Sequence, residues 1–236
     1  MQVVSKHSHF SLHELYVTAY KTLTGDIFGA DKYFEDLKIY YPTEMKNSID
    51  PENRELYSIR IRSSEERIHW TDRISAALKK VKNTPESLTK LVLDEITTNA
   101  MVRAPLHEDG GYKYQRKVPN SDVLIPFDNI ILDPEDYFVI QYGYYDDWVI
   151  IASQDPHGNL NRKEILYRLK RHITTNIDTG LPDGLADTHG RGIFLLREHM
   201  THVIFNIHRG RKTEVLCFYN TVHDIPYKNI SIYEIS

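Results

Sequence analysis

Cysteine is almost absent. Cys217 is the only one in 236 residues, so no intrachain disulfide can staple the fold and a packed core must hold it. It stands in Val215-Leu216-Cys217-Phe218-Tyr219, where a thiol behaves as a small buried hydrophobe. Long apolar runs are also missing. No segment approaches the roughly 20 residues that span a bilayer, and Met1-Gln2-Val3-Val4-Ser5-Lys6 lacks the apolar stretch of a signal peptide. No membrane association is therefore expected, and the cytoplasm is the expected compartment. Positive charge is not in excess: 29 Lys and Arg stand against 33 Asp and Glu, a net charge of −4. A basic nucleic-acid footprint is not supported. There is no internal repeat and no low-complexity tract. With 11 Gly and 10 Pro, the composition excludes fibres and disordered tails.

What is present is a globular chain long enough to enclose a sizeable core. Residues 1–56 carry a helix signal, with Ser11 and Glu14 spaced as a capping box and Leu12, Leu15, Ala19 and Leu23 following at helical intervals. A shorter helix is expected from Asp31 to Leu37. Tyr57–Arg62 alternates apolar and polar residues as a strand does. Ser63 and Glu66 form a second capping box, ahead of a stripe of Ile68, Thr71, Ile74, Leu78 and Val81. Thr84-Pro85 opens a third helix, with Thr as N-cap and Pro at the first helical position; it runs to about Arg103, where Pro105 stops it. Residues 105–135 form a polar insertion with Gly110-Gly111 and turn-forming prolines. Tyr137–Tyr142 and Trp148–Ser153 pair as a hairpin. Asn161 and Glu164 cap a helix. A loop from Thr179 to His189 leads to Gly190-Arg191-Gly192 and a short apolar helix. Val203–Ile207 and Thr213–Tyr219 make a closing hairpin. Helices alternating with hairpins argue an α/β sandwich, with helices on one face of a mostly antiparallel sheet.

Three constellations can carry chemistry. Glu95, Asn99 and Arg103 recur at i, i+4 and i+8, so one helical face offers a carboxylate, an amide oxygen and a cation. Oxygen ligands of this kind suit Mg²⁺, which keeps waters and takes few protein ligands; a solvated polar face is the plainer alternative. Next, the apolar run Ile150–Ser153 delivers Asp155 to the end of a strand, before a turn containing Gly158. A carboxylate there accepts from the exocyclic amine of adenine and meets the guanine carbonyl with two acceptors facing each other; a turn aspartate before proline is the ordinary reading. Finally, Gly190 and Gly192 at a helix start let backbone N–H groups approach an anion. The histidines His7, His9 and His13 are read as exposed or capping residues rather than a metal site.

Strand, capped helix, helix with Glu-x-x-x-Asn, hairpin ending in Asp155-x-x-Gly158, glycine turn, helix and closing hairpin with Thr213-Glu214-Val215 together resemble the GHKL superfamily of histidine-kinase-like ATPases. Ile61-Arg62-Ser63-Ser64-Glu65-Glu66-Arg67 and Gly190-Arg191-Gly192-Ile193-Phe194-Leu195-Leu196-Arg197 look like its bacterial anti-sigma-factor serine kinases. The resemblance implies a two-layer Bergerat-type ATP-binding domain over 57–220, between an extension over 1–56 and a tail over 221–236. It implies that Asn99 ligates Mg²⁺ on the ATP phosphates and that Glu95 is the catalytic base. Arg103 would serve the same nucleotide site. Asp155 would read adenine with support from Thr213, and Gly158 would give the turn its clearance. Gly190, Arg191 and Gly192 would border the phosphates, and 178–189 would form a lid. A homodimer is implied, with a sigma factor or an anti-sigma-factor antagonist-like protein as partner. The family's Asp-x-Gly-x-Gly stands here as Asp155-Pro156-His157-Gly158-Asn159. That departure keeps a second function open: a partner-binding module without catalysis.

Overall fold

A computed structural model describes residues 9–41, 54–80, 84–119, 121, 123–174, 192–222 and 228–236. Seven strands make one mixed, mostly antiparallel sheet: β1 (Lys38–Tyr40), β2 (Glu55–Ile61), β5 (Phe138–Tyr145), β6 (Trp148–Asp155), β7 (His202–His208), β8 (Lys212–Asn220) and β9 (Asn229–Ile235), in the order β1-β2-β5-β6-β8-β7-β9. The two hairpins form where the β runs and turn residues place them, with Tyr142 opposite Ile151 and Val203 opposite Cys217. The outermost strands pair in parallel, β1 with β2 and β9 with β7. They come from the residues before 57 and after 220, so those segments extend the central sheet. A separate pair, β3 (Gln115–Lys117) and β4 (Leu124–Pro126), lies in the insertion.

Four helices cover one face: α2 (Ser64–Lys79), α3 (Glu86–Thr98), α4 (Arg162–Ile173) and α5 (Gly192–His199). They enclose the larger core, in which Ile74, Leu78, Val92, Ile96, Ile165 and Leu196 meet Ile59, Ile140, Ile151, Phe205 and Cys217. Burial pushes the Cys217 thiol pKa well up, which suppresses the thiolate and its reactivity. Two of the expected caps form. Glu66 N donates to Ser63 Oγ at 3.1 Å, and Glu164 N donates to Asn161 Oδ1 at 3.0 Å. The start of α3 shifts by one residue, with Pro85 itself in the N-cap position. The Asp31–Leu37 helix shrinks to one 3₁₀ turn at Ala30–Lys32.

The helices are not confined to one face. Helix α1 (His9–Thr24) and the 3₁₀ turn lie on the other side of the sheet, where Val17, Ala30, Tyr33 and Phe34 pack on Leu56, Ile150, Ala152, Leu216 and Phe218. Nor does α1 bury the leucine stripe. Ser11 lies inside the helix rather than at its cap, Leu15 is 48% exposed and Leu23 86%. The buried face carries Glu14, Val17 and Lys21, each 3% exposed or less. Polar partners on the sheet explain the inversion. Lys21 Nζ donates to Asn206 Oδ1 at 2.9 Å and to Tyr33 Oη at 3.0 Å. Asn206 Nδ2 in turn donates to Glu214 Oε2 at 2.6 Å, and Glu14 Oε1 lies 2.8 Å from His202 Nδ1. Buried polar groups are tolerated when so partnered.

Candidate functional site

The C-terminal end of α3 does not finish as an α-helix. Asn99–Arg103 form a π turn, closed by Ala104 N donating to Asn99 O at 2.9 Å. The wider turn changes the angular step between Asn99 and Arg103, so the i, i+4, i+8 face does not continue as an ideal helix. Asn99 and Arg103 still line one cavity, together with Ala100 and Ala104.

That cavity, about 220 Å³, lies between the π turn, the ends of β6 and β8, and helices α4 and α5. Asp155 and Thr213 stand at its strand end, directly opposite one another in the β6–β8 ladder. Asp155 is buried, and Oδ1 accepts from the N–H groups of His157 at 3.0 Å and Gly158 at 3.3 Å. Burial raises its carboxyl pKa to about 6, against the pull of those two N–H donors. The buried Thr213 hydroxyl also bonds the carboxylate and adds to that downward pull.

Gly158 does not line the cavity. It wedges the turn against the β7–β8 hairpin at φ +65°, where a Cβ would lie 2.0 Å from His208 O, and its carbonyl accepts from Gly210 N at 3.2 Å. Asn159 ties the turn to the π segment by donating from Nδ2 to Ala104 O at 2.6 Å.

Glu95 does not line the cavity either. Its carboxylate accepts from Asn99 Nδ2 at 2.7 Å and lies against Gly192, where a Cβ would overlap its Cδ at 1.5 Å. Gly192 therefore provides clearance for Glu95. With Nδ2 engaged by Glu95, Oδ1 of Asn99 is the amide atom left for a cation. Gly190, Arg191 and the 178–189 loop lie outside the described residues.

Arg103 is half-buried and lines the cavity. Arg168 lines it from α4, paired with Glu164 one turn earlier. The i, i+4 spacing of Glu164 and Arg168 was visible in the sequence, but its direction toward the cavity was not. The insertion adds Leu106, Gly110 and Tyr112 to the walls, which no local pattern announced. Asp133, Glu135 and Asp136 cluster within 4.8 Å, but Lys113 already fills that cluster, its Nζ 2.6 Å from Asp133 and 2.7 Å from Asp136. The cavity thus combines a buried carboxylate, a hydroxyl, an amide oxygen and guanidinium groups with apolar walls. No protein-family model and no curated protein matches the chain. Among the described residues, no helix is long and apolar enough to cross a membrane.

Proposed function

We propose that the cavity binds a purine nucleotide as Mg-ATP, on a domain of the GHKL type, and that the chain is a regulator resembling the anti-sigma-factor serine kinases. The observation that carries this reading is the set of polar groups that line one cavity. Asp155, with the Thr213 hydroxyl beside it, suits an exocyclic amine, and Asn99 and Arg103 suit a metal-bound phosphate. A cavity of about 220 Å³ encloses a base and leaves the phosphates at the rim. Asn99 Oδ1 would meet the Mg²⁺, whose other ligands are phosphates and water. Bound there, the ion supplies charge neutralisation along the phosphates. Glu95 would take the proton of the attacking hydroxyl of a protein partner. Its carboxylate is half-exposed and lies against Gly192 at the start of α5. In this reading the protein works in the cytoplasm as a homodimer, switching between a sigma factor and an antagonist-like protein.

A second reading is a partner-binding module without phosphoryl transfer. A Glu95 that does not line the cavity favours it, as does a turn whose Gly158 and Asn159 serve packing. Calorimetric titration with Mg-ATP and Mg-GTP separates the two. Saturable binding with ATP preferred is the expected result, and transfer of the γ-phosphoryl to a hydroxyl-bearing partner then selects the kinase. No heat with either nucleotide would leave only the module.

A further inference from the structure

The turn that opens the 105–135 insertion is a closed hairpin. Leu106 and Tyr112 pair as an antiparallel bridge. His107 N donates to Gly111 O at 2.8 Å, Gly110 N to His107 O at 2.9 Å, and Lys113 N to Pro105 O at 3.2 Å. Gly110 takes the left-handed position at φ +85°, which a side chain disfavours. The hairpin presents Leu106 and Tyr112 to the cavity rim, where they remain 37% and 36% exposed. Two large apolar groups held at a cavity mouth by a rigid turn gain from any ligand that covers them.

The hairpin is also fixed relative to Asp155. Lys113 and Tyr114, the next residues along, both bind Asp136, with Tyr114 Oη donating to Oδ2 at 2.5 Å. Asp136 Oδ1 lies 3.2 Å from His157 Nε2, and the backbone N–H of His157 is one of the two that hold the Asp155 carboxylate. Rim and floor therefore share one frame. We propose that Tyr112, backed by Leu106, is a specificity-determining residue that holds the heterocycle of the ligand while Asp155 reads its amine edge. This inference rests on the nucleotide reading of the cavity. The chemistry is that of a flat aromatic ligand with a donor edge: an aromatic side chain at the rim offers its face, the buried carboxylate offers its acceptor, and the phosphates fall to Asn99 and Arg103.

The test is calorimetric titration of adenosine and of Mg-ATP into the full chain and into Tyr112→Ala, Tyr112→Phe and Arg103→Ala. Tyr112→Ala is expected to weaken both ligands about tenfold, the scale of one lost base–aromatic contact. Tyr112→Phe should keep wild-type affinity, and Arg103→Ala should weaken Mg-ATP while sparing adenosine. The rim position of Tyr112 predicts an unchanged thermal midpoint for its variants, so lost binding reports the contact rather than the fold. Wild-type affinity for adenosine in Tyr112→Ala overturns the inference and leaves the nucleotide reading standing. A wild-type chain that binds neither adenosine nor Mg-ATP overturns both.

Discussion

Replacing Asp155 by Asn tests the floor of the cavity most directly. The substitution keeps one oxygen for the His157 and Gly158 N–H groups, which both use Oδ1, and turns the other oxygen into an NH₂. A bound adenine amine then faces a donor instead of an acceptor. Leaving such a buried pair mismatched costs about 1–3 kcal/mol, roughly a 5- to 150-fold loss of affinity. A second consequence separates this effect from general damage. The Asp155 pKa is raised to about 6 by burial, and only the ionised carboxylate accepts freely. Adenosine affinity should therefore be flat above pH 7 and fall about tenfold by pH 5, whereas Asp155→Asn should show no such decline. Adenosine is the right probe because it carries no phosphate that titrates in this range. Burial holds the neighbouring His157 pKa below its ordinary value, so His157→Gln serves as the control for its titration. The unliganded fold has the opposite sign. A carboxyl whose folded pKa is raised adds stability below its unfolded value of 3.8, and that stability is lost as pH rises through 6. At pH 7 the variant should consequently lose less stability than its two weakened turn bonds suggest. Equal adenosine affinity in the variant and the wild type, or a wild-type affinity that does not change between pH 7 and 5, refutes the assignment.

Three further outcomes follow from the same geometry. If the chain is the proposed kinase, Asn99→Ala should abolish Mg²⁺-dependent nucleotide binding, while Glu95→Ala should retain binding and lose phosphoryl transfer by about 10²–10⁴-fold; titration and a phosphorylation assay distinguish them. Gly158→Ala should lower stability by about 2–4 kcal/mol in urea unfolding, combining left-handed strain with the Cβ contact on His208 O. Lys21 is held down to about pKa 7 chiefly by burial, with Glu214, Asp26 and Asp31 opposing and Lys32 reinforcing the shift; Tyr33 and Tyr233 face it as well. Between pH 7 and 10.5 the unfolded chain holds a proton there that the folded chain has released, so stability should rise with pH by up to about 1.4 kcal/mol per unit. Urea midpoints at pH 7 and 9 should show that rise in the wild type and its loss in Lys21→Met.

The elements whose stability is local were legible from residue order. Apolar runs separated by turn residues place both hairpins, and these strands are buried on both faces. Ser63 and Asn161 cap α2 and α4 because the bond runs only three residues along the chain. Asn99, Arg103, Asp155 and Thr213 were also nominated from the chain, and all four line the cavity. What depended on distant partners was not legible. The leucines of α1 looked like its buried stripe, yet Lys21 and Glu14 take that face because Asn206, Tyr33 and His202 wait for them across the sheet. Glu95 lies one turn before Asn99, but its carboxylate rests against Gly192, more than 90 residues away, and does not line the cavity. Tyr112 sits in a stretch with no periodic pattern, and only the Lys113, Tyr114 and Asp136 contacts aim its hairpin at the rim. Local periodicity and capping declare which elements form. Which face each one buries is settled by partners far away in sequence, because a paired polar group costs little to bury and an unpaired one costs a great deal.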